Sequence, residues 1–200
     1  ARYDAIYNRF FMGGIFHKTY PDLVLEGLEA FLPKRWQDDF DLIGMPVDWC
    51  GINYYTRSNV GHKKGPWPNL QKYEGALDKT QMGWEIYPHG LFDFIMRTHQ
   101  DYTHGLPIYV TENGMANDDV VENGIVNDDA RLDYISAHLL SVLKAIKQGV
   151  PVAGYYVWSL LDNYEWALGY DKRFGLIHVD FETQKRTPKK SYFAFKETLT

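Results

Sequence analysis

The chain has 200 residues, a formal net charge of −5, 45% hydrophobic and 24% charged residues, and one cysteine. That balance belongs to a globular chain and excludes a basic stripe for nucleic acid, a run of about 18 apolar residues to span a membrane, and a disulfide framework. A buried, reduced Cys50 and a cytoplasmic location are therefore expected.

The opening Ala1-Arg2-Tyr3-Asp4 reads as neither a signal peptide nor a native start. Residues 1–20 read as a helix end and an irregular segment around Gly13-Gly14. A helix over about 22–31 has Leu25, Leu28 and Phe31 on one face and ends at Pro33; a short helix with Trp36, Phe40 and Ile43 follows. The run 48–55 is short, apolar and aromatic, and reads as a buried strand. Residues 56–82 lack period and read as a long functional loop framed by Trp67 and Trp84. Pro88 suits the first turn of a helix that buries Leu91, Phe94 and Ile95.

Residues 108–111 form a second buried strand, and 112–127 a polar loop. Asn127 or Asp128 caps a helix whose Leu132, Ile135, Leu139, Leu143 and Ile146 recur at three- and four-residue steps up to Gly149. A third buried strand, 152–158, leads through the loop 159–173 to a short strand at 176–180. Pro188 opens a last helix with Tyr192, Phe195 and Leu199 inward.

Three such apolar strands joined by helices are parallel and covered on both faces. Long loops after the strands and short ones before them suggest a TIM-type barrel; a doubly wound sheet is the alternative, disfavoured by the lack of a Gly-x-Gly-x-x-Gly turn. A barrel needs eight strands and typically about 250 residues. Strand counting therefore predicts a missing partner segment of about five strands, with residues 1–200 as part of one barrel domain.

The strand ends would converge on one mouth, delivering Asn53, Tyr54 and Tyr55, then Thr111, Glu112 and Asn113, then Trp158 and Ser159. Glu112 is either a functional carboxylate bonded by Tyr55 and Asn amides, or a cap on the turn at Asn113-Gly114. Glu165-Trp166 either holds a sugar, carboxylate on hydroxyls and ring on an apolar face, or is a surface acid beside a core ring. The seven histidines are scattered without ligand spacing, so no metal or cofactor is expected. Asp118-Asp119 and Asp128-Asp129 lack the glycine of a calcium loop and read as solvated loop and helix cap.

The chain resembles the C-terminal part of family 1 glycoside hydrolases, the β-glucosidase type. The resemblance lies in Gly51-Ile52-Asn53-Tyr54-Tyr55, Gly83-Trp84-Glu85-Ile86-Tyr87-Pro88, Thr111-Glu112-Asn113-Gly114, the run from Gly154 to Trp166, and Arg173-Phe174-Gly175-Leu176-Ile177, in family order over nearly the whole chain. It implies a (β/α)8 barrel of which this chain supplies roughly strands six to eight. It implies retaining hydrolysis of small β-glycosides or oligosaccharides, with Glu112 as nucleophile and Tyr55 bonded to it. Asn53 would line the site, Glu165 and Trp166 would bind the outer face of the glycone, Trp158 would form the platform under the leaving group, and Phe174 a wall of the pocket. The intact Glu165-Trp166 pair argues for unphosphorylated sugars. Two departures stand out: Gly13-Gly14 replaces a usual Asp-Pro, and the family's acid/base motif, Asn-Glu-Pro, is absent. The acid/base glutamate is thus expected on an N-terminal barrel segment outside this chain. The competing readings are a non-catalytic carbohydrate-binding module using Trp158, Trp166 and Tyr55, and an inactive subunit.

Overall fold

The computed structural model describes residues 1–199. Arg2–Asp4 (α1) passes through a π-turn at Ala5–Arg9 into Phe10–His17 (α2). The glycine pair expected to be irregular lies buried inside α2. Close approach explains it: a β-carbon on Gly13 would stand 2.8 Å from the Thr19 carbonyl oxygen. Asp22–Leu28 (α3) buries Val24, whereas Phe31, expected to face inward, is exposed. A 3-10 turn at Trp36–Asp39 and the short Phe40–Ile43 (α4) then stack Trp36 and Phe40 around Tyr20.

Cys50–Asn53 (β1) opens the sheet. Asn59–His62 (β2) and Leu70–Tyr73 (β3) pair as an antiparallel hairpin inside the segment read as a loop without period. Strands this short show no alternation long enough to detect. Pro88–Thr98 (α5), Ile108–Asn113 (β4), Asp129–Lys147 (α6) and Val152–Val157 (β5) complete the main frame. Ile177–Val179 (β6) and Arg186–Pro188 (β7) form a second hairpin before Lys190–Thr198 (α7).

The sheet order is β1-β4-β5, with both pairs parallel, as the helical crossovers require. One face of the sheet packs on α5 and α6 through Cys50, Ile52, Ile108 and Val110 against Leu91, Ile95, Val142 and Ala145. The other face leaves Gly51, Asn53 and Tyr156 exposed. The expectation of cover on both faces is thus met on one face only within the described residues. A second cluster joins Met115, Tyr134, Ile135 and Leu176, with Tyr192 and Phe195 of α7 packed on it; Leu199, expected inward, is exposed.

The buried face of α6 differs from the apolar stripe expected of it. Leu143 and Ile146 are exposed, whereas Arg131, Tyr134 and His138 are buried. Polar residues with internal partners define this face, and an apolar count misses them. The aspartates read as solvated loop and helix cap are buried in part: Asp128 begins α6, but its carboxylate bonds the Ser191 amide and Arg131 and makes no capping bond. Asp119 and Asp128 both bond Arg131, and Lys189 bridges Asp119 to Asp162, all with fully buried side chains. Burial pulls the Asp119 carboxyl up, but the Arg131 hydrogen bond and the charges of Arg131 and Lys189 outweigh it, holding the group below the usual aspartate range. Among the described residues no helix is long and apolar enough to cross a membrane.

Candidate active site

Strand register brings the site together. Asn53 stands level with Glu112, after an irregularity between Ile52 and Asn53. The Glu112 carbonyl then accepts from the Tyr54 amide at 2.9 Å. From there Tyr55 reaches back, and its hydroxyl donates to Glu112 Oε2 at 2.6 Å. Burial first, and then the bond to Glu112 and its charge, push the Tyr55 hydroxyl well above the ordinary tyrosine range. The phenol therefore stays protonated and remains a donor. Thr111 Oγ1 donates to Asn53 Oδ1 at 2.7 Å, so Asn53 sits on the same open face.

Rings wall one side. Tyr55, Trp84 and Phe174 meet at centroid distances of 5.5 to 6.2 Å. Phe174 is buried because its neighbours are clamped: Asp162 accepts from the Gly175 amide at 2.9 Å and from Arg173 Nη1 at 2.7 Å. Trp84 was assigned no role from sequence beyond its motif and the edge of a loop; contact with Tyr55 places it in the wall. Trp158 follows β5, its amide donating to the Asn113 carbonyl at 2.9 Å.

Glu165 is the second carboxylate here. Burial raises it, and the negative charge of Glu112 raises it further, so the two acids share one field. Trp166 stands apart on the turn Trp166–Leu168, 80% exposed. Glu85, in a matched motif, is occupied: its carboxylate accepts from Arg57, Asn59 and the Leu77 amide. The Arg57 bond, then the Leu77 bond, bring it down to about 2, which makes it a structural anion rather than a proton donor.

Asn113, expected at the mouth with Asn amides on Glu112, lies behind the carboxylate instead: its amide serves Tyr54 and Tyr134, and Tyr55 is the donor that Glu112 receives. Asn113 is fully buried. Its Nδ2 donates to the Tyr54 carbonyl at 2.7 Å and to Tyr134 Oη at 3.1 Å, and its Oδ1 accepts from Tyr155 at 2.5 Å. Nothing in a single sequence marks the tyrosines two elements away as its partners.

Glu112 thus ends the central strand with its carboxylate held by the Tyr55 phenol, whose ring in turn meets Trp84 and Phe174. The family model for glycosyl hydrolase family 1 matches residues 1–200. The chain belongs to glycosyl hydrolase family 1. A 1,4-beta-D-glucan glucohydrolase of Thermotoga neapolitana is 43% identical over 202 residues, covering 100% of this chain and 45% of the relative. A 6-phospho-beta-galactosidase of Leptotrichia buccalis is 37% identical, over 97% of this chain and 48% of that protein. The solved beta-glucosidase from Thermotoga maritima in complex with deoxynojirimycin superposes with a TM-score of 0.94 and 42% identity, over 98% of this chain and 45% of that one. Family 1 glycosidases are (β/α)8 barrels. The chain spans less than half the length of these relatives.

Proposed function

We propose that the chain is the nucleophile-bearing part of a retaining β-glucosidase, contributing roughly strands six to eight of its barrel. The observation that carries this is the 2.6 Å bond from Tyr55 to Glu112 at the end of the central strand. A glutamate at that strand end, oriented by a fixed donor and facing Trp84 and Phe174, is arranged to attack a pyranose lying against the rings.

The reaction has two balanced steps. Glu112 bonds to the anomeric carbon as the bond to the leaving oxygen breaks, and a general acid protonates that oxygen. A water deprotonated by the same group then attacks the anomeric carbon and releases Glu112. The two displacements return the starting configuration. Glu165 and Trp166 hold the outer hydroxyls of the glycone, Asn53 an inner one, and Trp158 supports the leaving group. The general acid lies outside residues 1–200: Glu85 is tied to Arg57, and Glu165 is assigned to the glycone. The uncovered face of the sheet and its two outer strands fit a barrel completed by an N-terminal segment, whether on the same polypeptide or another.

Among the relatives are a glucan glucohydrolase and a 6-phospho-beta-galactosidase. The Glu165-Trp166 pair supports the unphosphorylated substrate. The test is to label the active protein with a 2-deoxy-2-fluoro-β-glucoside carrying a good leaving group and map the adduct. A label on Glu112 is expected; a label elsewhere refutes the assignment. Residues 1–200 alone should be inactive on an aryl β-glucoside, and full turnover by them would remove the need for a partner segment.

A further inference from the structure

The main chain that carries Tyr55 is held from behind by a side chain of α6. Tyr134 is 1% exposed. Its hydroxyl donates to the Tyr55 carbonyl at 3.0 Å and accepts from Asn113 Nδ2 at 3.1 Å. Asn113 uses its other amide hydrogen on the Tyr54 carbonyl at 2.7 Å, and Tyr155 of β5 donates to its Oδ1. The carbonyls of Tyr54 and Tyr55 are therefore both tied down. Every hydrogen of Asn113 and Tyr134 is committed, which leaves the amide one orientation. Below, the Tyr134 ring stacks on His138 at 3.9 Å, and the His138 Nδ1 hydrogen is donated to the Tyr134 carbonyl at 2.7 Å. The hydroxyl is thus fixed at both ends of its side chain.

We propose that Tyr134 is a positioning residue for Glu112, acting through the main chain of Tyr55, with Asn113 and Tyr155 completing the brace. Both carbonyls could bond water if the strand end moved outward, so β1 gains no irreplaceable bond from this brace. What the brace does fix is where the Tyr55 phenol points. A phenol aimed at Glu112 from 2.6 Å loses its bond when its anchor shifts by well under 1 Å. The brace ties the segment after β1 to β4, β5 and α6, so the nucleophile's orientation is set by four parts of one chain. It would persist whatever completes the barrel. The inference rests on the assignment of Glu112 as nucleophile, and the experiment separates the two.

In the catalytically complete protein, Tyr134→Phe keeps the ring on His138 and removes only the hydroxyl. Inactivation by the 2-fluoro glycoside should slow about fivefold to tenfold, the effect of losing one well-placed hydrogen bond. The binding constant of the inactivator should not change, because Tyr134 does not touch the site. In a Tyr55→Phe background the same substitution should have no further effect, since no phenol remains to be aimed. Tyr155→Phe should move the inactivation rate in the same direction and is the fallback if Tyr134→Phe does not fold. Unchanged inactivation rates in the folded variants overturn the proposal. So does an equal loss with and without the Tyr55 hydroxyl, which would mean general softening. An adduct on a residue other than Glu112 in the unsubstituted protein overturns the nucleophile assignment itself. An adduct on Glu112 with no Tyr134 effect overturns only the positioning role.

Discussion

Gly114 lies directly under the carbonyl of Trp158: a β-carbon at Gly114 would stand 1.9 Å from that oxygen. The contact locks the turn after β4 to the end of β5, immediately beside Glu112. Its neighbour is backbone, which no rotamer change can move aside. Gly114→Ala should therefore destabilise the complete protein by about 3 kcal/mol and lower activity more than ground-state binding. Thermal melts and inhibitor titration check both, and an unchanged melt would show that the two strand ends can part freely.

Removing the proposed nucleophile has a distinctive outcome. Glu112→Ala should lower turnover of an aryl β-glucoside by at least about 10³-fold. Azide, small enough to enter the space left by the carboxylate, should restore part of the rate and yield the α-glucosyl azide. Recovery of the β-azide instead would place the attacking group on another residue.

Glu165 tests substrate recognition. Glu165→Gln keeps shape and removes charge, and should reduce kcat/KM on a β-glucoside by about tenfold to a hundredfold. The loss should shrink on deoxy substrates lacking the outer hydroxyls. Equal losses on all of them would remove Glu165 from glycone binding.

The charges buried between the loops should be indispensable as a set. Arg131→Met leaves Asp128 and Asp119 short of a partner at full burial. Breaking one member of such a cluster costs about 3–5 kcal/mol, read as a lower midpoint of thermal unfolding. Lys190→Met, whose partner Asp129 lies at the surface, should change little.

Acid sensitivity should come partly from His138. Burial brings its imidazole down from 6.5 to about 4, more than the bond to the Tyr134 carbonyl raises it. The unfolded chain takes up a proton as pH falls below the ordinary value, while the folded chain stays neutral until about 4. Stability is thus unaffected near pH 7, falls across that window, and has lost about 3 kcal/mol at its lower end. Melts of the unsubstituted protein and His138→Gln at pH 7 and pH 5 should show a smaller acid loss in the variant.

Much of this was legible in the residues themselves. The runs around Ile52, Ile108 and Val152 are short and apolar and all three form strands, although the third, β5, is only partly buried, and the helical repeats between them dictate parallel pairing. Motifs in family order carried the family, and placed Glu112 at the end of the second strand. Sequence by itself determined those features because each depends on neighbours within a few residues.

Tertiary structure decided the rest. The buried face of α6 is written in Arg131 and Tyr134, whose burial is tolerable only with partners from elsewhere in the chain: Asp119 and the Arg173 carbonyl for Arg131, Asn113 and the Tyr55 carbonyl for Tyr134. An isolated polar side chain pays desolvation, so sequence alone places it outside. Trp84 joined the ring wall and Glu85 gained its ion pair for the same reason, since Tyr55 and Arg57 reach them only once the chain folds back. Polar residues owe their positions to partners distant in sequence, and only the folded chain names those partners.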